Sequence, residues 1–122
     1  MNWEVEFDPE FDPEFDDLPT AVQNELLAQA NLLKAFGPSL GRPRVDTLNG
    51  SRHANMKELR FTVDGSVWRV AFAFDLKRKA ILFVAGDKSG ISARRFYKQL
   101  IKKADERFDT HLDRLKKDRR SR

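Results

Sequence analysis

Two arginines carry the sharpest chemical signal in this sequence. Asp64-Gly65 separates two strand-like runs, 56–63 and 66–74, and a two-residue Asp-Gly connection is a strong hairpin signal. With that turn Val63 pairs with Ser66, Phe61 faces Trp68 and Leu59 faces Val70. These large apolar pairs define a core side. On the other side Arg60 falls opposite Arg69. Like charges placed across a strand pair are destabilising, so folding supplies no reason for this pairing. A phosphate between them would resolve the repulsion, because a guanidinium fork binds phosphate oxygens in two-pronged fashion. Glu58 lies two residues from Arg60 on the same face. It either orients Arg60 or takes a proton. In the plain structural alternative it only neutralises Arg60, and Arg69 reaches solvent.

Other polar residues cluster around the ends of these strands. Lys57 shares the core parity but sits at a strand start, where its ammonium can reach outward. Lys88 lies in Gly86-Asp87-Lys88-Ser89-Gly90, a turn-rich loop after an apolar strand. Tyr97 stands near the start of the last helix and offers a hydroxyl or a ring; a half-buried core role is the commoner case. His53 has an unperturbed pKa near neutrality but sits in a loop, where a lone histidine is usually a surface residue. His111 reads as structural. The two histidines are 58 positions apart (111 − 53) and have no acidic spacing pattern around them, so no metal site is expected. There is no phosphate-loop or dinucleotide glycine pattern, and no cofactor is expected.

Composition narrows the partner class. Of 122 residues 40% are hydrophobic, ten are Phe and none is Cys, so a core is available and disulfide, thiolate-metal and cysteine-nucleophile chemistry is excluded. The net charge of +4 hides an asymmetry. Residues 1–33 hold nine acidic residues and no Lys or Arg, while residues 34–122 hold all 23 cations against ten acids. Aromatic residues and Gly-rich turns interleave with those cations, which favours a polyanion partner over a merely solvated surface. No signal-peptide pattern or membrane-length apolar run is visible, so a cytoplasmic chain without a membrane partner is expected.

Periodicity supplies the elements that must position these groups. Trp3, Val5 and Phe7 alternate with polar residues as a half-buried strand over 2–7. The tandem Phe-Asp-Pro-Glu of 7–14 reads as an extended or turn-like connector. Asp16 or Asp17 is the expected cap of a helix carrying Val22, Leu26, Ala30 and Leu33, which Gly37-Pro38 ends. Residues 38–55 read as a long irregular loop holding Arg42, Arg44, Arg52 and His53. After the hairpin, Ala80–Ala85 is a continuous apolar run, as expected of a strand buried on both faces. The last helix starts near Ser92 with Arg94, Arg95 and Lys98 in its first turns and runs to about Lys117. The expected architecture is α+β, in the order β-α-loop-β-β-β-α. It is one domain over 1–122 with an antiparallel-rich sheet, helices mainly on one face and a frayed tail at 118–122.

Lys57-Glu58-Leu59-Arg60, Trp68-Arg69-Val70 and Gly86-Asp87-Lys88 before a basic final helix resemble the RelE/ParE superfamily of type II toxins. Gly37…Leu40-Gly41-Arg42-Pro43…Leu48 fits its HigB-like, phage-derived branch. The resemblance implies a small RelE-like fold and a metal-independent endoribonuclease that cleaves mRNA on the ribosome by 2′-OH attack. It also implies a cognate antitoxin with a helix-turn-helix DNA-binding domain. By the same resemblance Arg69 contacts the scissile phosphate, with Lys57, Arg60 and Lys88 as further cations. For the two proton transfers that such a cleavage needs, Lys57, Glu58 or His53 is the expected base and Lys88 or Tyr97 the expected acid. Arg42, Arg44, Arg52, Arg94, Arg95 and Lys98 are the expected RNA contacts. The sequence departs from the family in the late position of Tyr97 and in a final loop with a single lysine. The alternatives are a ParE-like gyrase-inhibiting toxin and a non-catalytic RNA-binding module.

Overall fold

A computed structural model describes residues 3–120; Asn2 of the expected first strand and residues 121–122 of the expected tail lie outside them. The elements are β1 (Glu4–Phe7), α1 (Phe11–Asp16), α2 (Thr20–Phe36), a single 3-10 turn at Gly37–Ser39, β2 (Val45–Thr47), β3 (Lys57–Val63), β4 (Ser66–Phe74), β5 (Lys79–Asp87) and α3 (Ala93–Arg120). The five strands form one sheet in the order β1-β5-β4-β3-β2. Only β1 and β5 run parallel; the other neighbours are antiparallel.

The α+β class holds, with three corrections. First, the sheet is covered on both faces, not mainly on one. Phe11 of α1 and Val22, Leu26 and Leu33 of α2 pack on Leu59, Phe61, Val70, Phe72 and Leu82. Phe96, Leu100, Ala104 and Phe108 of α3 pack on Ala71, Ala73, Ile81, Phe83 and Val84. This double burial explains the unbroken apolar run of β5. Second, the element order gains a short helix and a short strand. The second Phe-Asp-Pro-Glu repeat forms α1 because Pro13 falls in the first turn, where a missing N–H costs no helical bond. Buried Asp8 starts that turn: its Oδ2 accepts the Glu10 amide at 3.0 Å and its carbonyl accepts the Phe11 amide at 2.8 Å. The cap of α2 is Pro19, not Asp16 or Asp17. Within 38–55, Val45–Thr47 adds a strand to the edge of β3. Third, α3 continues to Arg120, so residues 118–120 are helical rather than frayed.

The hairpin register is as the turn chemistry predicts. Asp64 and Gly65 both take positive φ, 49° and 80°, the geometry that matches strand twist in a two-residue turn. Val63 pairs with Ser66, Phe61 with Trp68, Leu59 with Val70 and Arg60 with Arg69.

On the other side of β4 the pairing slips. Ala71 pairs with Val84 and Phe72 with Leu82, which leaves Phe83 as an extra residue on β5. Its carbonyl is caught by Nη1 of Arg107 at 2.6 Å. The same buried guanidinium donates to both carboxylate oxygens of Glu14, at 2.8 and 2.6 Å. One arginine of α3 thus satisfies the bulge and ties down α1. Breaking such a pair from one side leaves the partners unmatched, typically costing about 3–5 kcal/mol when both are buried. Glu14 keeps contact with water, so Arg107→Met is expected to cost about 2–3 kcal/mol, read from urea unfolding. The Arg107 hydrogen bond holds the Glu14 carboxyl below its ordinary value. A depressed acid stabilises the fold above the ordinary carboxylate pKa and loses that contribution as pH falls through its folded value. Glu14→Gln is therefore expected to flatten the acid-side decline in the urea midpoint relative to the wild type.

Candidate functional site: an arginine pair around a buried carboxylate

The face of the sheet beneath α3 carries the two arginines. Register puts Arg60 and Arg69 side by side, with Gly86 of β5 next to Arg69. The Arg60 amide donates to the Arg44 carbonyl at 2.7 Å, so Arg44 continues the row in the turn just before β2. Glu58 lies one row back and is almost fully buried. Three groups converge on its carboxylate. Nε and Nη2 of Arg60 donate to its two oxygens at 3.1 and 3.3 Å, and the Tyr97 hydroxyl donates to Oε1 at 2.9 Å. Nε of Arg69 stands 3.8 Å from the same oxygen, too far for a hydrogen bond. Glu58 is thus the shared counter-ion of both arginines, and the local sum stays positive.

The two arginines are held differently. The Arg60 side chain is 42% exposed and leans on Glu58; the hydrogen bond to that carboxylate and its charge raise the guanidinium pKa against the opposing effect of burial. The Arg69 side chain is only 12% exposed. Its guanidinium sits 5.7 Å from the centre of the Phe96 ring and 5.6 Å from that of Tyr97. Cation–π attraction at that range stabilises a partly desolvated cation without neutralising it. Its Nε is buried and has no hydrogen-bond partner, while Nη1 makes a long 3.4 Å contact with the Val67 carbonyl. Gly86 lets the Phe96 ring lie close: a Cβ there would stand 3.1 Å from the ring, which would have to give by a few tenths of an ångström. Phe96 and Gly86 escaped the sequence reading because one sits in an ordinary apolar stripe and the other in a turn-rich loop.

Arg69 opens onto a hollow of ≈ 350 Å³ lined also by Gly65, Ser66, Val67, Asp87, Lys88 and Ser89. Lys88, from the loop after β5, therefore lines the same hollow as Arg69. The remaining expected residues lie elsewhere. Lys57 points to the α2 side of the sheet, two residues from Leu59 on that face. His53 bonds Asp109 at 2.8 Å and packs its ring 4.7 Å from that of Phe108. From Tyr97 to Asp109 is twelve residues of helix, about 18 Å. Arg52 pairs with Asp109 too, so His53 and Arg52 clamp their loop onto α3. Arg42 pairs with Asp46 at 3.2 Å on the β2 edge. Arg94, Arg95 and Lys98 are exposed on the first turns of α3, beside Phe96 and Tyr97 in sequence. His111, read as structural, bonds the buried Asp75 at 3.0 Å. Among the described residues no group of three acids or histidines is placed to hold a metal ion.

A model of the phage-derived Gp49-like protein family matches residues 13–109, from α1 to the Asp109 anchor, and spans the whole arginine site. The chain belongs to that family. It is similar to HigB2 and HigB3 of Mycobacterium tuberculosis, whose names designate candidate toxins. The HigB2 match is 49% identical over 88 residues, 71% of this chain and 43% of HigB2; the HigB3 match is 48% identical over 82 residues, 67% of this chain and 69% of HigB3. The chain thus spans less than half the length of HigB2. Among solved structures, a free-state mutant of the Escherichia coli toxin RelE aligns with a TM-score of 0.53 at 13% identity. That alignment covers 83% of this chain and 95% of RelE. At that identity the likeness is one of fold. The chain is thus a Gp49-like protein with HigB-like relatives and a RelE-like fold, and no helix among the described residues is long and apolar enough to cross a membrane.

Tyr97 offers a direct reading of the site, because it is the protein's only tyrosine. Burial, the hydrogen bond to Glu58 and the charge of Glu58 push its phenol above the ordinary value, and Arg69 opposes them. Ultraviolet titration is expected to show one phenol ionising above the normal range near pH 10. Glu58→Gln should move that midpoint part of the way back, since burial remains. Arg69→Ala should move it further up.

Proposed function

We propose that this protein is an endoribonuclease toxin that cleaves mRNA at the Arg69–Lys88 hollow, on the ribosome, without a metal ion. The observation that carries the reading is Arg69 itself. It is a largely desolvated guanidinium held by two rings and by a carboxylate that it shares with Arg60 without a hydrogen bond, and it opens onto a hollow that a second cation lines. Folding alone does not call for a charge held in that way. A phosphodiester would supply the missing acceptor.

RNA brings its own nucleophile. The 2′-oxygen bonds to phosphorus, the bond from phosphorus to the 5′-oxygen breaks, and a 2′,3′-cyclic phosphate and a free 5′-hydroxyl result. Arg69, with Arg60 behind it, stabilises the charge that builds on the phosphorane. The Tyr97–Glu58 pair relays the proton: the phenol takes it from the 2′-hydroxyl and passes its own to the carboxylate 2.9 Å away. Lys88 protonates the departing 5′-oxygen. In this reading Lys57 and His53 take no part in proton transfer, because one faces the other side of the sheet and the other lies far along α3. Arg44, Arg94, Arg95 and Lys98 hold the flanking backbone, where each lost phosphate contact reduces the salt dependence of binding. An antitoxin with a helix-turn-helix domain is the partner that silences the activity.

The test is Arg69→Ala in an mRNA cleavage assay with programmed ribosomes. A fall of about 10²–10³ in single-turnover rate is expected, the scale of losing one preorganised charge-stabilising donor. Arg69→Lys should recover only a small part, because an ammonium lacks the planar fork. Undiminished cleavage by the alanine variant sinks the assignment. Salt-dependent RNA retention by the wild type with no cyclic-phosphate product would leave a binding module.

A further inference from the structure

β5 extends from Lys79 to Asp87, yet β1 pairs with it only over Lys79–Leu82. The Asp8 amide makes the last bond of that pairing, to the Leu82 carbonyl at 2.9 Å, and the chain then turns away into α1. Arg107 takes the Phe83 carbonyl. From Val84 to Asp87 the strand is paired with β4 on one side, and among the described residues no strand covers the other. Beside that open edge lies a second hollow, of ≈ 510 Å³. Val84 to Asp87 form one wall, and Phe96, Leu100, Lys102 and Lys103 of α3 contribute to the other. Both lysines are exposed at its rim.

An open edge beside an apolar slot is a template for one more strand, and soluble proteins usually block it with proline, charge or a covering segment. Here Val84, Ala85 and Gly86 are small and uncharged. We infer that this groove accepts an extended polypeptide segment of a partner protein whose α3-facing positions, every second residue, carry both apolar and acidic side chains. Its backbone would continue the sheet, and every second side chain would face α3, apolar ones entering the hollow against Phe96 and Leu100 and acidic ones meeting Lys102 and Lys103 at its rim. Glu106 and Asp87 also line the groove, so the acidic residues must be in register with the lysines. RNA would satisfy the lysines but leave the strand edge unmatched. Asp87 lines this groove and the Arg69–Lys88 hollow alike, so a seated strand ends beside the anion site. The inference stands whether or not that site cleaves RNA.

The test uses the full chain as bait for a random dodecapeptide display library, followed by hydrogen exchange with the enriched peptides. The expected peptides carry apolar residues and Asp or Glu together on one strand face, at every second position, and protect the amides of Val84–Asp87. N-methylation at alternate peptide residues should abolish binding. Lys102→Glu with Lys103→Glu should weaken it at least about tenfold while leaving the urea midpoint unchanged. The proposal fails if no peptide is enriched, if protection falls elsewhere, or if N-methylation makes no difference. A dodecauridylate that protects the same amides and displaces the peptides would assign the groove to RNA instead.

Discussion

Two guanidinium groups face one another across β3 and β4, and one buried carboxylate holds them there. Their mutual repulsion is tolerated because Glu58 sits between them and because two aromatic rings shelter Arg69. The rest of the architecture serves that arrangement. The Asp64-Gly65 turn sets which residues face each other. The underside of the sheet is closed by α1 and α2, so the arginine side is the one that remains for α3 to frame. Helix α3 then brings Phe96 and Tyr97 down onto the row, with Ser92 at its start accepting the Arg95 amide at 3.2 Å.

The network divides labour between the two arginines. Arg60 spends its fork on Glu58 and stays in contact with water. Arg69 makes no full hydrogen bond to that carboxylate, so its capacity for an anion is retained. A site that bound both arginines to separate acids would be a pair of salt bridges and nothing more. Here three positive or proton-bearing groups share one acid, and the hydroxyl of Tyr97 is as much a part of the balance as the cations. Low local polarity strengthens every member of such a network and raises the penalty for losing one.

A second constraint lies at the opposite edge of β4. The extra residue at Phe83 changes which side chains of β5 face α3, so that Phe83 and Val84 both enter that core. Arg107 repairs the lost backbone bond and carries the link across to α1. The short reach of β1 follows, because the chain leaves the sheet at Asp8 to form α1. That early departure leaves the upper part of β5 open beside α3.

The sequence by itself determined the hairpin, its register and therefore the Arg60–Arg69 pairing, because turn type and side-chain alternation are local properties with a period of two. It also determined the helical stripes of α2 and α3, through their apolar spacing, and the strands β1 and β5. Local rules misplaced what long-range contacts decide. Pro13 looked like a breaker until its place in a first turn was known, and Val45–Thr47 becomes a strand only because β3 offers an edge. His53 and Arg52 looked available for chemistry because the asparates that hold them, Asp105 and Asp109, are more than fifty positions away. Phe96 gave no signal for the site and Gly86 none beyond its place in a family motif, since a ring beneath a guanidinium and the close approach beside it exist only once α3 lies across the sheet. Which face each helix covers was likewise settled by tertiary packing, because a strand buried on both sides shows no alternation from which to read a preference.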